Sequence, residues 1–450
     1  MYICSTYKLK SFTVYNTYAN FIFEILYAYF QLKCWRYYGA KMRTIDFLNK
    51  VRLSPRAVVA LIILIANSFI WYMYAISILM EIVKFSLSTR FEILTFWSIN
   101  FMGTVFFALI GAELANNKKR RYFFLFWILF GIFSSFVLLF YKLNKLLVYA
   151  ASVLLGASFG LGMPASMAYY AYYTTPKNRS KLGGFTFFLI GVGAFLLNVV
   201  KVDDLSVDLL VLIILRSLSL IVFLIDDLFE ETFTAIKRCS YHQVIGQRSF
   251  LLYFIPWMMF CLVNYTSLPI MVKFLGVNLF NFLTAIEGAL IGIFAIIGGF
   301  LSDTIGRKHV VITGFVMMGL GYAFLGVFPE SQFTIFFYTL ADGVAWGMFH
   351  TVFVMTLWGD LAQDVSSEKY YALGGLPYLL SHFLQIVIGF YVAEMVLANT
   401  IFSFASFFLF LAVIPLMFAP ETLPENALKE RELRSYIEKA KKVKEKFAKN

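Results

Sequence analysis

Long apolar runs, each ended by a short polar or basic stretch, set the rhythm of this chain. Nine stretches hold no Asp, Glu, Lys or Arg: 57–80, 93–112, 122–141, 146–176, 182–200, 249–272, 310–329, 370–393 and 395–420. Three more carry one charge each: 209–225 holds Arg216, 274–302 holds Glu287 and 331–359 holds Asp342. About 20 apolar residues in a helix cover the roughly 30 Å of a bilayer's hydrocarbon, so the pattern predicts twelve spanning helices. Barrel strands would alternate in hydrophobicity; these runs are continuous, which leaves helices as the spanning element. The longest interior hydrophilic segment, 226–248, separates a six-span bundle at 57–225 from another at 249–420. The predicted class is all-α and integral to the membrane.

Composition removes the alternatives. Of 450 residues, 60% are hydrophobic and 14% charged, against about 25% charged in a soluble domain, which excludes soluble enzymes, disordered chains and disulfide scaffolds. Cys4, Cys34, Cys239 and Cys261 share no short spacing, so neither a disulfide framework nor a metal site is indicated. The net charge of +12 gathers at the ends. Residues 1–56 contribute +7 and residues 421–450 contribute +3, a distribution suited to an anionic membrane surface and not to nucleic acid. With the N-terminus inside, the inner loops carry 13 Lys/Arg and the outer loops 6. The positive-inside rule then puts both termini in the cytoplasm of a multi-pass protein of the cytoplasmic membrane.

Residues 1–41 stand apart, with eight Tyr and an apolar run near Phe21–Phe30 that is short and broken by Glu24. They lack a signal-peptide cleavage pattern. Met42 is followed by Arg43, Asp46, Lys50, Arg52 and Arg56, as a cytoplasmic leader enters a first helix, and is the expected natural start. A disordered or interfacial tail is the alternative, and the intact mass of natively expressed protein separates the two. At the other end, residues 421–450 are rich in Lys, Arg and Glu, with Leu433, Ile437, Ala440 and Phe447 on one side of an expected amphipathic helix.

Motifs recur across the central loop. Gly299-Phe-Leu301-Ser-Asp303-Thr-Ile-Gly306-Arg307-Lys308 closes the eighth span; Ala112-Glu-Leu114-Ala-Asn116-Asn-Lys-Lys119-Arg120-Arg121 closes the second, 187 residues earlier. Arg179-Ser-Lys-Leu182-Gly183-Gly184 enters the fifth span, and Tyr370-Tyr-Ala-Leu373-Gly374-Gly375 enters the eleventh, 191 residues later. Two pairs at nearly one offset indicate a duplicated bundle, common among secondary transporters. The 299–308 segment resembles the signature loop of the major facilitator superfamily, G-x-L-x-D-x-x-G-R-K/R, in its place between the eighth and ninth helices. Pro176, Arg179 and Gly184 resemble that superfamily's loop after helix four, and Pro420-Glu421-Thr422 an ending found in some branches. The resemblance implies a loop Asp that latches the halves in the outward-facing state. Asp303 fits, and needs an external partner because it opposes its own helix dipole; Arg307, four residues on, is the nearest. Asn116 lacks the charge, which puts a first-half latch in doubt.

Ionisable residues at membrane depth cost several kcal/mol and face protein or water. Asp342 sits in the tenth span with His350 eight residues on, on one broad face. The resemblance puts that face on the central path as a candidate for proton or substrate handling; a structural hydrogen bond is the alternative for Asp342. Glu287, beside Gly288 and Gly292, is either a proton carrier or an interhelical contact. Arg216 could hold an anionic solute or balance a buried acid, and the peripheral place of helix six in the superfamily favours the second. Asn264 lies between Pro256 and Pro269 in the seventh span, and Pro164 interrupts the fourth; these prolines are candidate hinges. Asn67 is the polar candidate of the first span, where Trp71 and Tyr74 complete a stripe.

No Gly-rich phosphate loop, H-E-x-x-H or nucleophile elbow is present, so neither catalysis nor a cofactor nor a nucleotide-driven pump is expected. The expected protein is a monomeric secondary transporter in lipid, moving a small polar solute (a sugar or organic acid) by alternating access, coupled to proton symport. Proton-coupled export of amphipathic compounds is the alternative within transport; a predominantly aromatic, uncharged cavity would favour it. A transporter-like membrane sensor is a third, separated from both by a flux measurement.

Overall fold

The computed structural model describes residues 55–115, 120–200, 204–225, 237–362, 365–391 and 397–424. The extension up to residue 54, Asn116, most of the central loop and the amphipathic helix after Pro424 lie outside them. Twelve long helices follow one another: α1 (Pro55–Ser86), α2 (Arg90–Leu114), α3 (Arg120–Leu138), α4 (Lys145–Tyr173), α5 (Arg179–Val200), α6 (Leu205–Ile225), α7 (Arg248–Leu275), α8 (Val277–Ile305), α9 (Arg307–Val327), α10 (Gln332–Ala362), α11 (Glu368–Tyr391) and α12 (Ala398–Phe418). Eleven are long and apolar enough to cross a membrane; α11, with 24 residues, completes the set. Within α10, His350–Thr356 is wound as a π-helix.

Local chemistry sets the breaks. Thr89 and Glu92 form a reciprocal capping box at the start of α2, and Asn144 caps α4, satisfying amides that the first turn leaves open. Gly276 (φ 75°) separates α7 from α8, and Gly306 (φ 108°) separates α8 from α9, conformations that glycine adopts without strain. The eighth helix therefore runs three residues later than the apolar run at 274–302 suggests, because Gly276 turns the chain before it can start.

Helices α1–α6 pack chiefly among themselves, as do α7–α12, and the groups meet where α5 crosses α8 and α2 crosses α11. Small residues allow the first crossing: a Cβ at Gly184 would collide with the Ala295 carbonyl, and one at Gly299 with that of Ser180. Phe101 stacks on Phe383 at the second, with ring centroids 5.3 Å apart. Of the eleven helices, α10 and α4 are the most enclosed and α8 the least. The outward faces carry Phe106, Phe126, Phe282, Phe404 and other exposed apolar side chains, a surface suited to lipid.

Candidate functional site

The second half gathers polar groups from four helices into one chain. Tyr338 and Asp342 lie one turn apart on α10, and the Tyr338 hydroxyl is 3.3 Å from both Asp342 Oδ2 and the Tyr322 hydroxyl of α9. Tyr322 donates in turn to Asn264 Oδ1 at 2.9 Å, on α7 between Pro256 and Pro269. From α8, the Glu287 carboxyl lies near that of Asp342, whose Oδ1 is buried with no hydrogen-bond partner. Asp342 is 4% exposed and Asn264 3%, and Glu287 is half-buried. Three of the sequence's candidates, Asn264, Glu287 and Asp342, are thus brought together. Tyr322 and Tyr338 were not among them, although Tyr338 stands four residues before Asp342, the spacing that stacks side chains on one helical face.

His350 does not join this group. Eight residues turn a regular helix about 800°, some 80° past two full turns, and His350 faces the other half. Its ring lies parallel to Phe187 of α5, 4.5 Å away with planes 2° apart, and close to Trp346 and Tyr378 at 4.9 and 6.3 Å. Around it the halves present aromatic rings to each other. On the first side Tyr72 stacks on Phe159 at 3.9 Å, and Phe69 packs between Phe159 and Phe187. On the second, Tyr265, Trp346 and Tyr378 pack edge to face at 5.7 to 6.0 Å, and His382 meets Tyr265 at 5.9 Å. Pro164 is buried in α4 beside this region.

Arg216 is fully buried within the first half, away from the rings. Its guanidinium lies between two indoles, 4.8 Å from Trp71 and 4.5 Å from Trp127, an arrangement worth about 2 kcal/mol or more when desolvated. It donates to Ser68 Oγ at 2.8 Å, and a Cβ at Gly131 would collide with its Nε. Asn67 accepts from Ser219 at 2.8 Å, Trp71 donates to Ser135 at 2.9 Å, and Tyr74 donates to Asp208 at 2.6 Å. The α1 stripe is therefore a polar seam against α3 and α6.

Charged pairs join the halves at the end bearing the basic loops. Asp303 accepts from the Ser180 and Lys181 amides at 3.3 and 3.0 Å and pairs with Arg307 at 3.2 Å. It thereby caps α5, where a carboxylate is favoured by the helix dipole, rather than serving its own helix. Asp360 pairs with Arg179 and with Arg307 Nε (2.9 Å). Glu421 accepts from the amides of Arg307 and Lys308 at 2.8 and 3.2 Å, and a side chain at Gly306 would strike it. From the first half, Arg120 pairs with Glu368 at 2.5 Å, and Glu113 with Lys369. Asn116 lies outside the described residues, but Glu113 and Arg120 supply charge on its side. Arg121 is half-buried beside Arg120. Asp360, Glu113 and Glu368 escaped the sequence reading, whose only signal was an acid at the end of a span facing basic loops.

Residues 249–448 match the family model of the Major Facilitator Superfamily. No curated protein matches the chain. Among solved structures, the proton:xylose symporter XylE is similar at 16% identity and a TM-score of 0.63, covering 81% of this chain and 96% of that one. The transporter FucP in its outward conformation gives 11% and 0.65 over 81% and 100%. The human organic anion transporter MFSD10 gives 14% and 0.61 over 80% and 99%.

Proposed function

We propose that the chain, whose residues 249–448 match the Major Facilitator Superfamily model and whose fold is shared with solved transporters, is a proton-coupled secondary transporter of the cytoplasmic membrane, moving a small solute by alternating access. The observation that carries the reading is the meeting of Glu287 and Asp342 in a hydroxyl-lined pocket. Two adjacent carboxylates repel strongly in a low-dielectric space, so holding one proton between them lowers the electrostatic cost. Loading or losing that proton changes the charge beside α10, the helix that also carries Trp346, His350 and Asp360. The ion pairs at the basic-loop end support a state closed on that side, cytoplasmic by the loop charges, and open to the opposite one. In this reading both termini are cytoplasmic and one chain suffices.

For the solute, the likeness to XylE supports a small polar molecule such as a sugar. The rings between the halves favour instead the export of amphipathic compounds. Coupling is tested in proteoliposomes with Asp342→Asn. Uptake driven by a pH gradient is expected to vanish while counterflow exchange persists; undiminished gradient-driven uptake removes Asp342 from the mechanism.

A further inference from the structure

Between the halves, Phe187 stacks on His350, which Trp346 and Tyr378 flank, and Tyr72 lies on the first side stacked on Phe159. The charges at this depth are turned away. Asp342 meets Tyr338, which meets Tyr322, and Glu287 lies beside Asp342; Arg216 is enclosed by Trp71 and Trp127 behind α1. An ion of either sign would find no counter-charge here, and stripping it of water without one is prohibitive.

Three of the carboxamides are engaged, and Gln385, half-buried on α11 one turn from His382, is left over. Asn67 accepts from Ser219, Asn100 donates to the Ser152 carbonyl at 2.7 Å, and Asn264 accepts from Tyr322. A sugar brings several hydroxyls, each costly to bury unpaired, and such sites answer with amides and carboxylates. What remains here is sparse: tyrosine hydroxyls, Gln385 and His382 on α11, and His350, whose Nδ1 is buried with no hydrogen-bond partner. An unpaired nitrogen in a ring that bridges the halves calls for a complementary group on the solute. Flat faces to stack on and one or two polar atoms to meet describe the complement.

We infer that the ring cluster of Phe187, Trp346, His350 and Tyr378, with the half-buried Tyr72 on the first side, is the face that binds an uncharged, flat, sparsely polar solute, an aromatic or heteroaromatic amphipath, in preference to sugars or ions. This deepens the transport reading and rests on it for the solute's passage, but the binding itself is measured without a gradient.

Equilibrium binding to the purified full-length protein is measured for coumarin (flat and neutral), glucose (neutral and hydroxyl-rich) and benzoate (flat and anionic). Coumarin binds saturably, and the other two bind at least tenfold more weakly. Tyr378→Ala weakens coumarin by tenfold or more, and the milder Trp346→Phe by a few-fold; Phe407→Ala, on the exposed face of α12, leaves it unchanged. Tighter binding of glucose or benzoate overturns the inference. So does coumarin binding that ignores folded Tyr378→Ala and Trp346→Phe, or that falls equally with Phe407→Ala, which marks partition into the detergent belt. Saturable coumarin binding without flux in proteoliposomes would leave the site standing and sink the transport reading instead.

Discussion

Each half of the molecule buries charge within its bundle, and the two do so in opposite ways. In the first half Arg216 is clasped by two indoles and a serine hydroxyl, and Asp208 is held by Tyr74. Cation and acid each have their own fixed neutral partners. In the second half two like groups, Glu287 and Asp342, lie near each other, and Tyr338 meets Asp342. Neutral partners anchor a charge in one state, whereas a pair of acids is a place where a proton matters. The first half reads as the stator and the second as the half that responds.

That contrast can be broken in order of expected effect. Asp342→Asn should lower gradient-driven flux by about 100-fold or more, since the proposed proton carrier is removed, with counterflow within a few-fold of wild type. Asp360→Asn strips the acid from two buried guanidiniums and should cost about 4 kcal/mol, read as a lower melting temperature and as faster labelling of cysteines placed in the basic loops. Arg216→Ala empties the indole clasp and should cost about 3 kcal/mol, yet leave flux per folded molecule unchanged; loss of coupling there would erase the distinction between the halves. Glu113→Gln, on a side chain 50% exposed, should change stability by less than about 1 kcal/mol, and that change should shrink further in high salt.

Local features were legible in the sequence. Apolar length located the helix ends to within four residues except in α1, which continues six residues past its run to Ser86, and the four-residue spacing of Asp303 and Arg307 announced their pair. What escaped depends on which helices meet. Arg179 and Asp360 are 181 residues apart, and nothing near either names the other. The stripe of Trp71 and Tyr74 was indistinguishable from packing or lipid contact, because its partners Arg216 and Asp208 lie on α6. Asp208 itself falls at the helix mouth, just outside the run at 209–225. The pairing of Glu287 with Asp342 follows only from the crossing of α8 and α10. The expected kinship of Asp342 with His350 failed because a residual 80° of rotation suffices to reach a different neighbour.

The wide turn in α10 has a mechanical reading. Within this one helix the chain passes the acid pocket at Asp342, the rings at Trp346 and His350, the π-wound segment His350–Thr356 and the ionic knot at Asp360. A π turn holds about one residue more than a regular turn, and one residue is worth about 100° of azimuth. Were that slack drawn out, everything beyond Thr356 would swivel relative to everything before His350, and Asp360 could not keep both arginines. A single loop of backbone is enough to gear an event at the acids to the unclasping of the far end.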